Sequence, residues 1–462
     1  MREMGIRSGL RHFLFGYDAT ETTGRRRVRP VVLRNEDDVL DPKSRKRLIS
    51  DTTDLRRNYS IARWAISKHL DYTSVFSFQC RTGNRALDER IEALMDWWSR
   101  PLNCDVTGRH SLQRLTRLSE GLRTVQGDMV VLKMSDGRVQ LIEGDRIRTP
   151  NEGLPASIDP GKLVHGVEVT PSGRASRYII CDRAGGLSNK FTFKAAIPAR
   201  YTYCHGVFDR YDQVRGVSPL ASAINAFSDV YEASEYALAK AKVSQLFGIK
   251  FKRAADTALT ETESDTGTGP TFNFGRGPQV LDLDPGDDAE FMESRTPSTE
   301  FATYMDRMIA VALKSLDIPY SFFNEAATNY SGARQALLMY EQSAKVKRGE
   351  VRELLNQLTA WRLQLFIDDG VLVLPAGMTV GDLKWEWISS GIPWIDPLKE
   401  ASADIALVQS SLRSRQEISK ERGRDWFSVV DELAAEEAYL KEKNIVPATP
   451  AITIGVNTDA SN

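Results

Sequence analysis

The sequence predicts an α+β chain in which a mixed first part, up to about Gly216, gives way to long helices. Three observations lead there. Period-two apolar runs around turn residues fall in the first part: Asp128–Met134 and Val139–Ile142 flank Ser135-Asp136-Gly137, and Gly166–Thr170 and Ser176–Cys181 flank Pro171-Ser172-Gly173. Beyond Gly216, apolar residues recur at spacings of three and four over long stretches. Finally, 462 residues with 41% hydrophobic and 27% charged side chains describe a globular chain of about two to four domains.

Residues 1 to about 50 are charge-dense and read as a solvated arm, with a basic cluster at Arg25, Arg26, Arg27 and Arg29. Folding signals begin near Asp54, where Leu55, Tyr59, Ala62, Trp64 and Ile66 predict a helix. Leu87, Ile91, Leu94 and Trp98 predict a second, and Leu112, Leu115, Leu118 and Leu122 a third. The two hairpins follow. Ser218-Pro219 then starts a long helix, with Ser as cap and Pro where its missing N–H costs nothing. Leu220, Ile224, Phe227, Tyr231, Ser234, Leu238 and Ala241 form its heptad-like seam, roughly 38 Å long at 1.5 Å per residue.

Residues 254–297 cannot be helical throughout. They hold a Ser/Thr/Gly/Asp stretch at 262–269, short strand patterns at Phe272–Phe274 and Gln279–Leu283, and many acidic residues, including Asp282, Asp284, Asp287 and Asp288. Thr296-Pro297-Ser298 starts another helix, with Phe301, Met305, Met308, Ala312 and Leu316 on one side, ending before Ile318-Pro319. An aromatic, Asn-containing loop runs from Tyr320 to Tyr330. Ser331 is expected to cap the longest helix, which buries Val351, Leu354, Leu358, Trp361 and Leu365 and stops at Gly370. Val371–Leu374 and Leu383–Ile388 read as strands. Asp396-Pro397, the box Ser414-Arg415-Gln416-Glu417 and Asp425 start the last helices, with Phe427, Val430, Leu433 and Ala434 facing inward in the final one. From Val446 the tail reads as loose.

The net charge of −1 excludes a strongly basic nucleic-acid coat. Cys80, Cys104, Cys181 and Cys204 show no metal spacing and read as reduced. No run of about 18 apolar residues spans a membrane, and no secretory h-region is present. The P-loop, GxSxG and HExxH patterns are absent. Adjacency of Cys204 and His205 does not orient a thiol–imidazole pair. The acidic residues at 282–288 resemble an ion loop, but the glycine is misplaced for Ca²⁺, and a solvated acidic face is the better reading. No catalytic residue, cofactor site or metal site is therefore expected. On periodicity alone, the seam at 220–241 fits self-association about an axis and packing inside a monomer equally well.

The motifs in order resemble the lambda-like family of portal, or head–tail connector, proteins of tailed bacteriophages. Arg57-Asn58 resembles its N-terminal signature, and Gln213-Val214-Arg215-Gly216-Val217-Ser218-Pro219-Leu220, preceded by His205, its most typical motif. Asn329-Tyr330-Ser331-Gly332-Ala333-Arg334 resembles the start of its long helix, and Ile395–Glu400 and Glu421–Asp425 its C-terminal block. The resemblance runs from about residue 55 to 440.

It implies an α+β, portal-type subunit that assembles as a ring, usually of twelve, around a DNA channel. The implied parts are an arm (1–50), an α+β wing (51–216), stem helices (217–247 and 298–317) around a small β-containing clip (248–297), a tunnel loop (318–332), a long helix returning to the wing (333–388), and a helical crown with its tail (389–462). Tyr320, Asn324, Asn329 and Tyr330 would face the channel. Leu220, Ile224, Phe227, Tyr231 and Leu238 would pack the stem, partly against neighbouring subunits, so Phe227→Asp is expected to cost rings while the wing stays folded. Asp282, Asp284, Asp287 and Asp288 would form the clip's partner face. Implied partners are the terminase large subunit, the major capsid and scaffold proteins, a head–tail adaptor and double-stranded DNA passing non-specifically, at the portal vertex of a virion assembled in the host cytoplasm. The role is structural, not enzymatic. A ring or scaffold protein of a gene-transfer particle, or a nucleic-acid-processing enzyme of the packaging system, are the alternatives.

Overall fold

The computed structural model describes residues 34–183, 190–245, 249–252, 288–291, 299–324, 330–391 and 397–445. Helix α1 (Pro42–Asn58) is capped by Asp41, whose carboxylate accepts from the Lys43 and Ser44 N–H groups. It breaks at Tyr59 into α2 (Ser60–Thr73). Strand β1 (Phe76–Cys80) leads to α3 (Arg85–Ser99), which buries Leu87, Ile91, Leu94 and Trp98, as their spacing requires. Helix α4 (Leu112–Gln126) starts on the Ser111 cap and stops at Gly127.

Strand β2 (Asp128–Lys133) pairs with β3 (Val139–Glu143) in the first expected hairpin. Four strands follow: β4 (Leu163–Val164), β5 (Val167–Val169), β6 (Ala175–Arg183) and β7 (Phe191–Pro198), consecutive in one antiparallel sheet. Strand β8 (Thr202–Gly206) returns to β2, so β2 is the centre of a β3-β2-β8 sheet. That position explains its unbroken Met129-Val130-Val131-Leu132 run. Met129 and Val131 enter the core under α3, while Val130 and Leu132 pack with Ile142, Ile147, Val167 and Ile180 on the other face.

Ser218 caps a 3₁₀ turn at Pro219–Ala223 that runs into α5 (Ile224–Gln245). Strands β9 (Ile249–Lys252) and β10 (Asp288–Phe291) pair antiparallel, bringing the two ends of the insertion together. Its strand patterns at 272–274 and 279–283 lie outside the described residues, as do Asp282, Asp284 and Asp287; Asp288 is the first residue of β10. Helix α6 (Thr299–Leu313) then packs along α5. Helix α7 (Tyr330–Asp368) has 39 residues, about 58 Å of helix. Its second half buries Val351, Leu354, Leu358 and Phe366 against α3, and β11 (Trp385–Ser389) pairs with β1 beside it. Helices α8 (Pro397–Gln409), α9 (Arg415–Glu421) and α10 (Trp426–Glu442) complete the chain.

Five expectations are corrected. Helix formation begins well before Asp54, with one short turn at Glu36–Val39 and then α1 from Pro42, and α1 buries Arg45 and Thr52, so its start belongs to the folded body and not to a solvated arm. Arg45 misleads in sequence because its charge is spent on the interior Asp128. Ser331 lies inside the first turn of α7, which starts at Tyr330, so it is not the cap. Val371–Leu374 alternates in burial, with Leu372 buried and Val373 81% exposed, yet no strand among the described residues pairs with it. Phe427, Val430 and Leu433 of α10 are exposed, as is Ala434, because α10 packs on little besides α9. The seam of α5 is buried at its start and open at its end, as described below.

Candidate functional site: the helix pair and its buried anchor

The Gln213–Leu220 motif is an anchor built around Asp128, a residue the sequence reading passed over. Arg215 is fully buried. Its Nε donates to Asp128 Oδ2 and its Nη2 to Oδ1, both at 2.7 Å. Its remaining N–H groups reach the carbonyls of Ile147, His165 and Gly144. Arg45 adds a third guanidinium bond to Asp128 Oδ1 at 3.0 Å, and the Gly216 N–H donates to Oδ2 at 2.8 Å. The rest of the motif serves the same junction. Gln213 Nε2 donates to the Arg215 carbonyl, Ser218 Oγ to the Thr124 carbonyl, and Asp37 accepts from the backbone of Val214 and Arg215.

The glycine is required by contact. A Cβ on Gly216 would stand 2.2 Å from the Gly127 carbonyl oxygen, and one on Gly127 (φ +91°) 2.6 Å from that of Gly216. Two backbones touch there, so the entry to α5 is locked onto the end of α4. Burial alone would raise the Asp128 carboxyl, but the Arg215 and Arg45 charges outweigh it and hold it below its ordinary value. Arg45 is pushed down to about 10, first by burial and then by the neighbouring Arg215 charge.

A second buried network centres on Glu120 of α4. Glu120 accepts from His69 Nε2 at 2.8 Å, from His205 Nε2 at 3.0 Å, and from Arg123 Nη1 at 3.1 Å on both oxygens. Arg123 continues to Glu350 of α7 and to the Gly206 carbonyl. With both carboxylate oxygens occupied, the two imidazoles and the carboxylate do not make a metal site, and no such cluster occurs among the described residues. His205 is thus a structural partner, and its neighbour Cys204 is pushed up to about 12 by burial and the Asp128 charge. Despite complete burial, the Arg123 charge and the histidine hydrogen bonds hold Glu120 well below the carboxylate range.

The pH consequence follows from the direction of these shifts. Glu120 and Asp128 both have lowered pKa values in the folded chain. Their stabilisation is complete above the unfolded carboxylate pKa near 4 and is lost as pH falls from there toward the folded values. Thermal midpoints measured between pH 7 and pH 3 should stay level down to about pH 4.5 and fall steeply below it. In Glu120→Gln that acid limb should be shallower; equal limbs would remove Glu120 from the account.

The anchor sets the start of α5. Leu220 and Phe227 are buried inside the same chain: Phe227 (1% exposed) packs with Leu55, Ala62, Ala223 and Ala312, and Leu220 with Val125, Val230 and Leu313. Ile224 and Tyr231 are partly buried, and the Tyr231 hydroxyl bonds Ser60 Oγ at 2.7 Å. Farther along, Ser234 is exposed and Leu238 is 55% exposed. The seam is therefore two things: an internal core position for its first half, and an open apolar face for its second. Tyr236 on α5 and Tyr304 and Val311 on α6 are exposed as well.

The loop after α6 is held by its aromatics. Asp317 takes a left-handed conformation that ends the 3₁₀ turn (Lys314–Leu316) following α6, and Ile318 is buried. Phe322 packs edge-on to Tyr340 at 5.3 Å between ring centres and beside Tyr72, and Phe323 meets Trp64 at 5.8 Å. Tyr320 is partly buried in the same core, within reach of the Asn324 amide at 3.5 Å. Asn329 lies outside the described residues, and Tyr330 opens α7. No helix among the described residues is long and apolar enough to cross a membrane.

Among solved structures, the fold is similar to a chain in the neck of a native gene transfer agent particle computed with twelve-fold symmetry (14% identity, TM-score 0.45, 81% of this chain and 93% of that one). It is also similar to one in the neck of the empty particle computed with six-fold symmetry (15%, 0.47, 81% and 94%). A third is in the virion of the native particle (13%, 0.46, 83% and 99%). No curated protein sequence matches the chain. The family model for phage portal proteins of the lambda family matches residues 24–348, a span that contains the Asp128 anchor, the whole of α5 and α6 and the start of α7. With that match over most of its length, the chain belongs to the lambda family of phage portal proteins and is a structural portal protein.

Proposed function

We propose that identical copies of this chain close into a ring around a DNA channel at one capsid vertex, through which the genome is packaged and later leaves. The observation that carries this reading is the half-satisfied helix pair. α5 and α6 are rooted in the core by Phe227, Leu220 and Leu313, yet present Tyr236, Leu238, Tyr304 and Val311 to solvent at their outer faces. Exposed apolar residues on a rigid helix pair are what a neighbouring copy would cover. Head-to-tail contacts of this kind close into rings when the rotation permits. Negative-stain imaging of the purified protein tests it: rings with a central hole are expected, and a field of isolated monomers at micromolar concentration would refute it.

On this reading α5 and α6 are the stem, the insertion between β9 and β10 is the clip, and the helices from about 389 onward are the crown. The clip, with Asp282, Asp284, Asp287 and Asp288, would meet the terminase and later the head–tail adaptor, and capsid and scaffold proteins would hold the ring's rim. Near-neutral net charge suits a conduit that must not grip phosphates.

The loop at 318–332 would approach the DNA. Tyr320 and Phe322 anchor its described start in the core with α2 and α7, and Asn324 and Asn329 are its polar, uncharged candidates for transient phosphate contacts. Asn324→Ala with Asn329→Ala should leave rings intact and change DNA packaging or retention. Lysines at both positions should slow translocation most at low salt, where phosphate attraction is least screened. Unaltered packaging by both variants at both salt levels would take this loop off the DNA path.

A further inference from the structure

Two charged surfaces have no hydrogen-bonded or ion-paired counterpart among the described residues. Arg56 on α1, Arg63 on α2 and Arg114 on α4 make no side-chain hydrogen bond or ion pair among the described residues, whereas the adjacent Arg117 is paired with Asp71. Arg56, whose guanidinium lies over Gly121, feels both of the others: burial, then the charges of Arg63 and Arg114, lower it, with Glu143 opposing them. Clustering like charges costs energy unless something opposes them. On α5, Asp229, Glu232 and Glu235 recur at a spacing of three, are exposed, and likewise have no ion-pair partner among the described residues.

The two surfaces lie at one level of the molecule. Tyr231, between Asp229 and Glu232, stacks edge-on against Tyr59 at 4.4 Å and bonds Ser60. Arg56 precedes Tyr59 by about one turn, and Arg63 follows it by about one turn. Rotation about a ring axis keeps every residue at its own height. Surfaces that are close in one subunit therefore come level with each other across the boundary to the next, whatever the tilt of the helices.

Resting on the ring reading above, we propose that Arg56, Arg63 and Arg114 of one subunit clasp Asp229, Glu232 and Glu235 of its neighbour. The contact is heterologous: the basic groups of each copy meet the acidic groups of the next, as a closed ring requires. Guanidinium groups suit it because they fork onto carboxylates. The clasp sets register between copies, while the apolar outer faces of α5 and α6 supply contact area.

The test uses the exposed members, so that folding is untouched. Arg63→Glu with Arg114→Glu, and separately Glu232→Arg with Glu235→Arg, are purified in the full chain and checked for an unchanged thermal midpoint of the subunit. Ring formation is followed by sedimentation across protein and salt concentration. Each double variant should need at least about tenfold more protein to form rings, because like charges then face each other. Mixing the two variants in equal amounts, or combining all four substitutions in one chain, should restore rings close to the wild-type concentration. Rings at wild-type concentration in both double variants would overturn the clasp while leaving the ring reading intact. Intact rings with lost binding of a DNA duplex in the Arg63/Arg114 variant would assign the basic surface to nucleic acid and overturn it too. A wild-type chain that never forms rings would remove both readings.

Discussion

Asp128→Ala is expected to destabilise the subunit by about 3–5 kcal/mol, the cost of stripping a buried charge of its partner. The substitution leaves Arg45 and Arg215 facing each other in the interior without a counter-charge, and removes the acceptor of the Gly216 N–H. Arg215→Ala should cost nearly as much, since it leaves the buried Asp128 carboxylate with only Arg45 and the Gly216 N–H and strips three backbone carbonyls of their donor. Asp128→Asn keeps the shape and removes the charge, so it separates the two contributions. Arg138→Ala is the control. Its bridge to Asp136 is exposed at both ends, and an exposed pair is worth about 0–1 kcal/mol. Denaturant titration of the four variants reads the difference. An Asp128→Ala chain as stable as Arg138→Ala would mean that the junction tolerates two unpaired guanidiniums and is not what roots α5.

The second large effect separates folding from assembly along a single helix. Phe227→Ala should cost about 3–5 kcal/mol, because a fully buried ring leaves a cavity among Leu55, Ala62, Ala223 and Ala312. Phe227→Asp should prevent the subunit itself from folding. The expectation that it would cost rings alone is corrected by the burial of Phe227 inside its own chain. Leu238→Asp is expected to behave in the opposite way. Leu238 is open to solvent in one copy, so subunit stability should be unchanged while rings are lost. Urea titration together with size-exclusion chromatography distinguishes the two. A Leu238→Asp protein that elutes as rings would take the outer half of the seam out of the subunit interface.

Most elements were legible because their signals are local. Period four and three at Leu87–Trp98, the caps at Ser111, Ser218, Ser414 and Asp425, and the turn residues of both hairpins each act within a few residues of chain. Local pattern also failed where the missing partner was distant. Val371–Leu374 has the alternation of a strand and seats Leu372 in the core, but no strand among the described residues pairs with it, and α10 has the apolar spacing of a core helix without a core surface among them. The motif around Arg215 was visible as a string of letters, and its purpose was not. The partner that explains it, Asp128, stands 87 residues away and looks in sequence like an ordinary strand-edge carboxylate.

What the sequence by itself determined is the order and period of the helices and hairpins, the start of α5 at Ser218-Pro219, and the family to which these motifs belong, because each depends on short-range backbone preference and residue order. What only the tertiary structure decided is which charges are interior. Arg45 and Thr52 of α1 and the residues Glu120, Asp128 and Arg215 are polar in kind and buried in fact. A charge can leave water when an opposite charge and enough hydrogen bonds meet it in three dimensions, and that meeting is a property of packing between distant segments, invisible to any window along the chain.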